Sequence, residues 1–310
     1  MPKQLMKANG KKHLIVITGP TAIGKTGLAI FIAKKLKTEI ISFDSRQFYQ
    51  EMKIGTAVPS DEELKEVPHH FIQNLSIEQD YSVGNFERDA LVKIEELFEK
   101  YDYLVFVGGS GLYEKAVTEG LDEFPQVDKS IRLNLIYEYD IHGLEPLQNE
   151  LKEVDPVYYN LVDLNNPVRI IRALEIYRGT GKPFSSYRKN NYSARNFQVT
   201  KIGLELSREE IYDRINKRVD LMMQEGLLEE VKSLYPKKHL NSLQTVGYRE
   251  LFDYLDGKIE LDFAIEEIKK NTRRYAKRQL TWYRKDPRIK WFSPFEKENI
   301  LTYIQDITSE

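Results

Sequence analysis

Eight residues near the N-terminus, Gly19-Pro20-Thr21-Ala22-Ile23-Gly24-Lys25-Thr26, carry the spacing GxxxxGK[ST]. Glycines at such positions let a backbone wrap a phosphate group, and the N–H groups at the start of the following helix point at it. Lysine adds a point charge and the threonine hydroxyl can ligate Mg²⁺. The pattern therefore predicts a di- or triphosphate site built by Gly19 to Thr26, with Lys25 and Thr26 in chemical roles and Thr26 as the metal ligand.

A carboxylate is the next requirement for most chemistry at such a site. The first acidic residue at a strand end is Asp44, in Phe43-Asp44-Ser45-Arg46-Gln47. Ligands of open α/β sheets bind at the carboxyl ends of strands, which puts Asp44 towards the phosphate site. Asp-Ser pairs also cap turns, so a structural role stands beside the chemical one. Arg46 and Gln47 are placed to meet a base or a phosphate, or are simply solvated. An ordinary P-loop ATPase ends a further core strand with a Mg²⁺-holding aspartate. Here the apolar run Tyr103–Val107 ends instead in Gly108-Gly109-Ser110-Gly111, which serves either a close backbone approach or a tight turn.

A third cluster lies near the C-terminus. From Lys269 to Lys285 there are eight basic residues and no acidic one. Arg273, Arg274, Lys277 and Arg278 fall on overlapping i, i+4 rows with Tyr275 and Trp282 interleaved. Such a row binds a nucleic-acid backbone, with aromatics stacking on bases. The alternatives are a solvated helix face for the charges and core packing for the rings.

These residues need a scaffold. His13–Thr18 is a continuous apolar run, the pattern of a strand buried on both faces. A helix is predicted from Lys25 to about Lys37, then a strand over Glu39–Phe43, a helix over Asn85–Lys100 and the strand Tyr103–Val107. Strand, helix and strand with short links form βαβ units and imply a parallel sheet. Residues 118–197 contain no buried strand but offer helix starts at Ser130 and at Asn166-Pro167. Val199–Leu206 returns to a strand. Ser207 with Glu210 is a capping box opening a helix, and the basic row sits on a helix over Asp262–Lys285. The fold class expected is α/β, a P-loop NTPase-like parallel sheet flanked by helices. Its core would comprise 1–117 and 198–310, with 118–197 as a helical insertion domain.

Composition bounds what remains. The chain has 310 residues, enough for about two domains or one core with an insertion. Apolar residues are 41% and charged residues 30%, a normal globular balance. No stretch approaches the ~18 uninterrupted apolar residues of a membrane span, and the N-terminus lacks a signal-peptide core. Cysteine is absent, which excludes disulfides, thiolate metal sites and cysteine nucleophiles, and none of the five histidines forms an HExxH pair. The expected location is the cytoplasm. A net charge of −2 does not announce a nucleic-acid binder, yet a local basic stripe can act as one. There is no internal repeat and no low-complexity tract.

The motifs resemble those of the tRNA dimethylallyltransferases, or tRNA isopentenyltransferases. Gly19–Thr26 is similar to that family's GPTxxGKT. Asp44-Ser45-Arg46-Gln47-Phe48-Tyr49 with Met52-Lys53-Ile54-Gly55-Thr56-Ala57 resembles DSxQxY…MxIGTAKP, except that Val58 replaces the lysine, whose contact cannot be carried over. Pro68-His69-His70 resembles a PHH turn and Gly108–Tyr113 a GGTGLY loop with serine for threonine. Asn166 to Glu175 resembles NxxRxxRALE, Val246-Gly247-Tyr248-Arg249 resembles VGYR, and Ala276–Trp282 resembles AKRQxTW.

This resemblance implies transfer of the dimethylallyl group of dimethylallyl diphosphate to N6 of adenine 37, beside the anticodon of certain tRNAs, with release of diphosphate and Mg²⁺ as cofactor. Gly19 to Thr26 would hold the leaving diphosphate. Asp44, Lys25 and Thr26 would be catalytic, with Asp44 as base. The tRNA anticodon stem-loop would meet Asp44, Ser45, Arg46 and Gln47, then Ser110 and Arg132, then Val168, Arg169, Ile170, Ile171 and Arg172, then Gly247, Tyr248 and Arg249, and finally Arg273, Arg274, Lys277 and Arg278. No membrane is involved, and a monomer is expected. Three competing readings remain: an enzyme prenylating free adenine nucleotides, which needs neither insertion nor basic helix; a P-loop small-molecule kinase, which needs a strand-end aspartate; and a non-catalytic RNA binder with a relic P-loop, which intact Lys25 and Thr26 disfavour.

Overall fold

The computed structural model describes residues 11–188 and 194–309. In chain order the larger part of the molecule begins with β1 (His13–Thr18), α1 (Lys25–Leu36), β2 (Ile40–Ser42), α2 (Asp61–Glu66), β3 (His69–His70), α3 (Val83–Phe98), β4 (Tyr103–Val107) and α4 (Gly111–Glu119). A run of helices follows: α5 (Lys129–His142), α6 (Glu145–Val154), α7 (Pro156–Tyr159) and α8 (Pro167–Thr180). The chain then returns through β5 (Gln198–Leu204), α9 (Arg208–Gln224), α10 (Leu227–Leu234), α11 (Tyr248–Leu255), α12 (Leu261–Tyr283), β6 (Lys290–Phe292) and α13 (Lys297–Ser309).

The six strands form one all-parallel sheet in the order β3-β2-β4-β1-β5-β6. The continuous apolar run of β1 is explained by its central place. Ile15 and Ile17 face one layer with α1 and α9, while Leu14 and Val16 face another with Phe86, Ala90 and Ile94 of α3. Both faces are dry, so alternation disappears from the sequence. The strands β3 and β6, which the sequence does not announce, are short and polar or half-buried, and both lie at the sheet edges.

By contact the chain divides into two compact units, Glu119–Ser193 and the rest. The small unit packs α5, α6, α7 and α8 around Leu135, Leu147, Leu151, Ile170, Ala173 and Leu174. Residues 194–197, assigned to the insertion on sequence, belong with the sheet. Arg195 donates to the carbonyls of Ala116 and Val117 and pairs with Glu87, and Phe197 packs on Phe98. Among the described residues no helix is long and apolar enough to cross a membrane.

Candidate active site

The loop after β1 is shaped by its glycines. Gly19 has φ +143°, and a Cβ there would lie 2.8 Å from the Leu204 carbonyl oxygen. Gly24 has φ +103° and caps α1 without any side-chain hydrogen bond. The first-turn N–H groups of α1 are thus left to an anion. Lys25 Nζ donates to the carbonyls of Gly19 (3.1 Å) and Pro20 (2.9 Å).

A second loop closes on this one. Gln279 of α12, 5% exposed, accepts from the Thr21 N–H at 2.8 Å and donates to the Gly109 carbonyl at 2.9 Å. The glycines of Gly108-Gly109-Ser110-Gly111 answer close approaches. A Cβ at Gly108 would lie 2.8 Å from the Phe43 carbonyl carbon, one at Gly109 would run into the Gln279 amide, and one at Gly111 into the Trp282 indole. Position 108 therefore has no room for a metal-holding aspartate. Trp282 is neither fully core nor free: it is 43% exposed with its edge on Gly111.

Asp44 follows β2, at a turn that faces the phosphate loop. Its Oδ1 accepts the Arg46 N–H at 3.2 Å, the bond of a turn cap. Its side chain also lines a cavity of about 490 Å³ together with Thr21, Lys25 and Thr26. Sequence reasoning missed the cations on the opposite wall, Arg214, Lys217 and Arg218 of α9. Arg214 also holds the phosphate loop, donating to the Ala22 carbonyl at 2.8 Å. Their positions, 214, 217 and 218, make one helical face, a signal the sequence does carry. His69 lines the same cavity. Its Nδ1 donates to the Val67 carbonyl at 2.8 Å, which leaves Nε2 a buried acceptor with no protein partner. Burial lowers its pKa, which keeps the ring neutral.

The electrostatics ask for an anion. Burial pushes the Lys25 pKa down to about 8; Asp44 opposes this and Arg218 adds to it. Burial likewise lowers Arg218, with Asp44 opposing. Two cations penalised by desolvation in one cavity regain that cost when a polyanion enters.

A second cavity of about 370 Å³ adjoins the first, and Thr21, Asp44, Thr56 and Arg218 line both. One part of its wall is apolar, with Ile215, Val219, Met222 and Ile268. Arg46, Arg249, Arg278, Gly247 and Tyr275 form much of the remainder. Ser45 lines it too, and its N–H and hydroxyl meet the Ser110 hydroxyl at 3.1 and 3.0 Å.

Other expected nucleic-acid contacts fall elsewhere. Tyr248 is completely buried, so it offers no surface to a macromolecule. Its neighbours Gly247 and Arg249 do reach the second cavity. Gln47 spends its amide on the Thr56 and Ala57 carbonyls at 3.2 and 2.8 Å. In the small unit Ile170 and Ile171 belong to the core, while Val168 and Arg169 are exposed, as helical periodicity requires. Arg132 and Arg172 both pair with Glu175 at 3.1 and 3.0 Å. The basic row is also less uniform than its sequence. Lys269 pairs with Asp220 and Glu266, Lys270 with Glu267 and Arg284 with Glu205, because carboxylates reach them from the preceding turn and from other elements. Arg273 turns to Asn216 and lies over the Tyr212 ring. Among the described residues no carboxylate pairs with Arg273, Arg274, Lys277 or Arg278. Arg274, Lys277 and Arg278 are exposed.

Known proteins resemble this chain in sequence and fold. A family model described as IPP transferase matches residues 47–286. The tRNA dimethylallyltransferase of Christiangramia forsetii is 60% identical over 294 residues, covering 94% of this chain and 97% of the relative. The tRNA dimethylallyltransferase 1 of Bacteroides fragilis is 50% identical over 95% of this chain and 98% of its own. Among solved structures, the tRNA isopentenylpyrophosphate transferase of Bacillus halodurans superposes with TM-score 0.71 at 38% identity, covering 96% of this chain and 97% of that chain. A eukaryotic dimethylallyltransferase acting on tRNA gives TM-score 0.74 at 28% identity over 91% of this chain and 74% of its own. With its parallel sheet, its phosphate loop and a match over nearly its whole length, the chain belongs to the tRNA dimethylallyltransferase family of transferases.

Proposed function

We propose that the protein transfers the dimethylallyl group of dimethylallyl diphosphate to N6 of adenine 37 in the anticodon stem-loop of tRNA, and that the transfer occurs where the two cavities meet. The observation that carries this reading is Asp44 at that junction, with phosphate-binding machinery on one side and a half-apolar, arginine-edged cavity on the other. In the reaction the allylic C–O bond breaks and the electron pair leaves with the diphosphate. The N6–C bond forms and one N6 proton must depart. Lys25, the first-turn N–H groups of α1 and the cations of α9 stabilise charge growing on the leaving group. Asp44 takes the proton, since the amine's lone pair is delocalised into the ring and attacks poorly without a base.

The residues fit Mg²⁺. Thr26 and Asp44 line one cavity with hard oxygen donors, and among the described residues no group of three His, Asp or Glu forms an all-protein cage. That donor set suits an ion bound by one or two protein oxygens plus substrate phosphates. Bound there, Mg²⁺ would neutralise diphosphate charge.

A kinase reading lacks its strand-end aspartate, for which Gly108 leaves no space. Prenylation of free nucleotides leaves the unpaired cations of α12 without a task. The decisive experiment incubates the protein with dimethylallyl diphosphate, Mg²⁺ and either unmodified tRNA or AMP, followed by mass spectrometry of the nucleosides. Prenyl adenosine from tRNA alone supports the reading; product from AMP alone, or no product with phosphoryl transfer instead, replaces it. A monomer working in the cytoplasm, where tRNA is found, completes the proposal; light scattering at a mass near 36.4 kDa tests the first part.

Two further outcomes are expected. Lys25 must be charged to hold diphosphate, and its pKa in the free enzyme is about 8. From neutrality to about pH 8 binding needs no proton, so affinity for dimethylallyl diphosphate stays flat. Above that, binding takes up a proton and affinity falls by up to about tenfold per pH unit. Calorimetry in buffers of different ionisation enthalpy measures both; a flat affinity through the alkaline range would place Lys25 away from the diphosphate. For the basic helix, neutralising Arg273, Arg274, Lys277 and Arg278 together should flatten the salt dependence of tRNA binding by about one slope unit for each phosphate these side chains neutralise. Most of the change should come from Arg274, Lys277 and Arg278, which are exposed, whereas Arg273 is half-buried between Asn216 and the Tyr212 ring. An unaltered slope would mean these charges are only solvated.

A further inference from the structure

The turn Met52–Ala57 runs along the passage between the cavities: Ala57 lines the first, Gly55 the second and Thr56 both. Three successive N–H groups of this turn end on one carboxylate. Glu230 of α10 accepts from Lys53 at 2.9 Å, Ile54 at 2.7 Å and Gly55 at 3.0 Å. The same carboxylate accepts the Tyr248 hydroxyl at 2.7 Å. The Tyr248 ring lies so close on Gly55 that a Cβ there would be 2.6 Å from it. From the other side Gln47 donates to the Thr56 and Ala57 carbonyls. Ala57 has φ +46°, a left-handed conformation that an alanine keeps only when its surroundings hold it. A charged acceptor makes the strongest such restraint on backbone N–H groups. Glu230 itself lines neither cavity.

We propose that Glu230 is a positioning residue for prenyl transfer: by gripping the Lys53–Gly55 backbone it sets the width of the passage at Thr56, and with it the approach of the adenine amine to the allylic carbon. This rests on the reading that the substrates meet at the junction of the cavities. Displacement of about 1 Å at a reacting centre can cost roughly 10²-fold in rate. The chemistry needs a carboxylate at 230, because a carboxamide has one acceptor oxygen and turns an N–H₂ towards the N–H donors.

The test is Glu230→Gln, compared with Glu229→Gln. Glu229 is an exposed carboxylate on the same helix that, among the described residues, pairs only with Lys232. Amide exchange of residues 53–55 should accelerate at least about tenfold in Glu230→Gln, with exchange in the sheet unchanged. The single-turnover rate on tRNA should fall about 10–100-fold. The separate dissociation constants of tRNA and dimethylallyl diphosphate should stay within about threefold, and Glu229→Gln should match wild type throughout. Wild-type transfer in Glu230→Gln, or an equal loss in Glu229→Gln, overturns the proposal. Should Glu230→Gln not fold, Glu230→Asp keeps the charge on a shorter stem; it too must lose rate, and a wild-type rate there is an equal refutation. The exchange measurement requires no substrate. If wild-type protein fails to prenylate tRNA, the functional reading falls by itself, while faster exchange at 53–55 still decides whether Glu230 holds the turn.

Discussion

Replacing Lys25 with alanine is expected to lower kcat/KM for dimethylallyl diphosphate by about 10²–10³-fold while the protein stays folded. Among the described residues the lysine donates only to carbonyls of its own loop, and burial works against its charge. Removing it therefore releases a desolvation cost and deletes no long-range hydrogen bond, so Tm should move by no more than a few degrees. The phosphate loop itself remains fixed by Gln279 on Thr21 and by Arg214 on Ala22. Affinity for tRNA should be unchanged. Steady-state kinetics with each substrate varied, alongside a thermal melt, separates these effects. Turnover within about tenfold of wild type would mean that the loop does not hold the reacting diphosphate.

The parts of the fold that local pattern encodes are readable. The strand β1 and the helix α1 follow from an apolar run and helical spacing, and their junction carries the phosphate motif. The capping box of Ser207 and Glu210 opens α9 as expected. What pattern does not encode is the meeting of distant residues. Gln279 reaches Thr21 across 258 positions, and Glu230 reaches Ile54 across 176. Neither leaves a periodic trace, since each sits in a helix that reads as ordinary. Motif resemblance works in the opposite direction and marks whole stretches. It marks Val168 to Arg172 and Gly247 to Arg249 entire, yet a helix turns about 100° per residue, and burial divides them. Ile170, Ile171 and Tyr248 hold the fold while Val168, Arg169 and Arg249 stay exposed. The basic row shows the same limit, because carboxylates from α9 and from the residue just after β5 cross over to Lys269 and Arg284.

Asp44→Asn is the sharpest test of the chemistry, with an expected loss of about 10²–10⁴-fold in the single-turnover rate. Asparagine keeps a carbonyl oxygen for the Arg46 N–H, so the turn that presents Ser45, Arg46 and Gln47 survives and tRNA affinity should hardly move. The charge change has a second consequence that must be separated from the loss of a base. Asp44 raises the pKa of Lys25 against the lowering effect of burial. Without it Lys25 titrates below about pH 8, and part of any loss at neutral pH would come from a discharged lysine. That part is recovered as pH falls, because acid restores the ammonium. Loss of a general base is not recovered, because no acid returns an acceptor to N6. A rate that stays low from neutral to mildly acidic pH therefore identifies the base, and one that climbs back towards wild type assigns Asp44 to the support of Lys25. A loss within about threefold at any pH, under ~1 kcal/mol of barrier, rules out the base role altogether. An intact rate with an altered Mg²⁺ requirement would instead make Asp44 a ligand in the metal's shell.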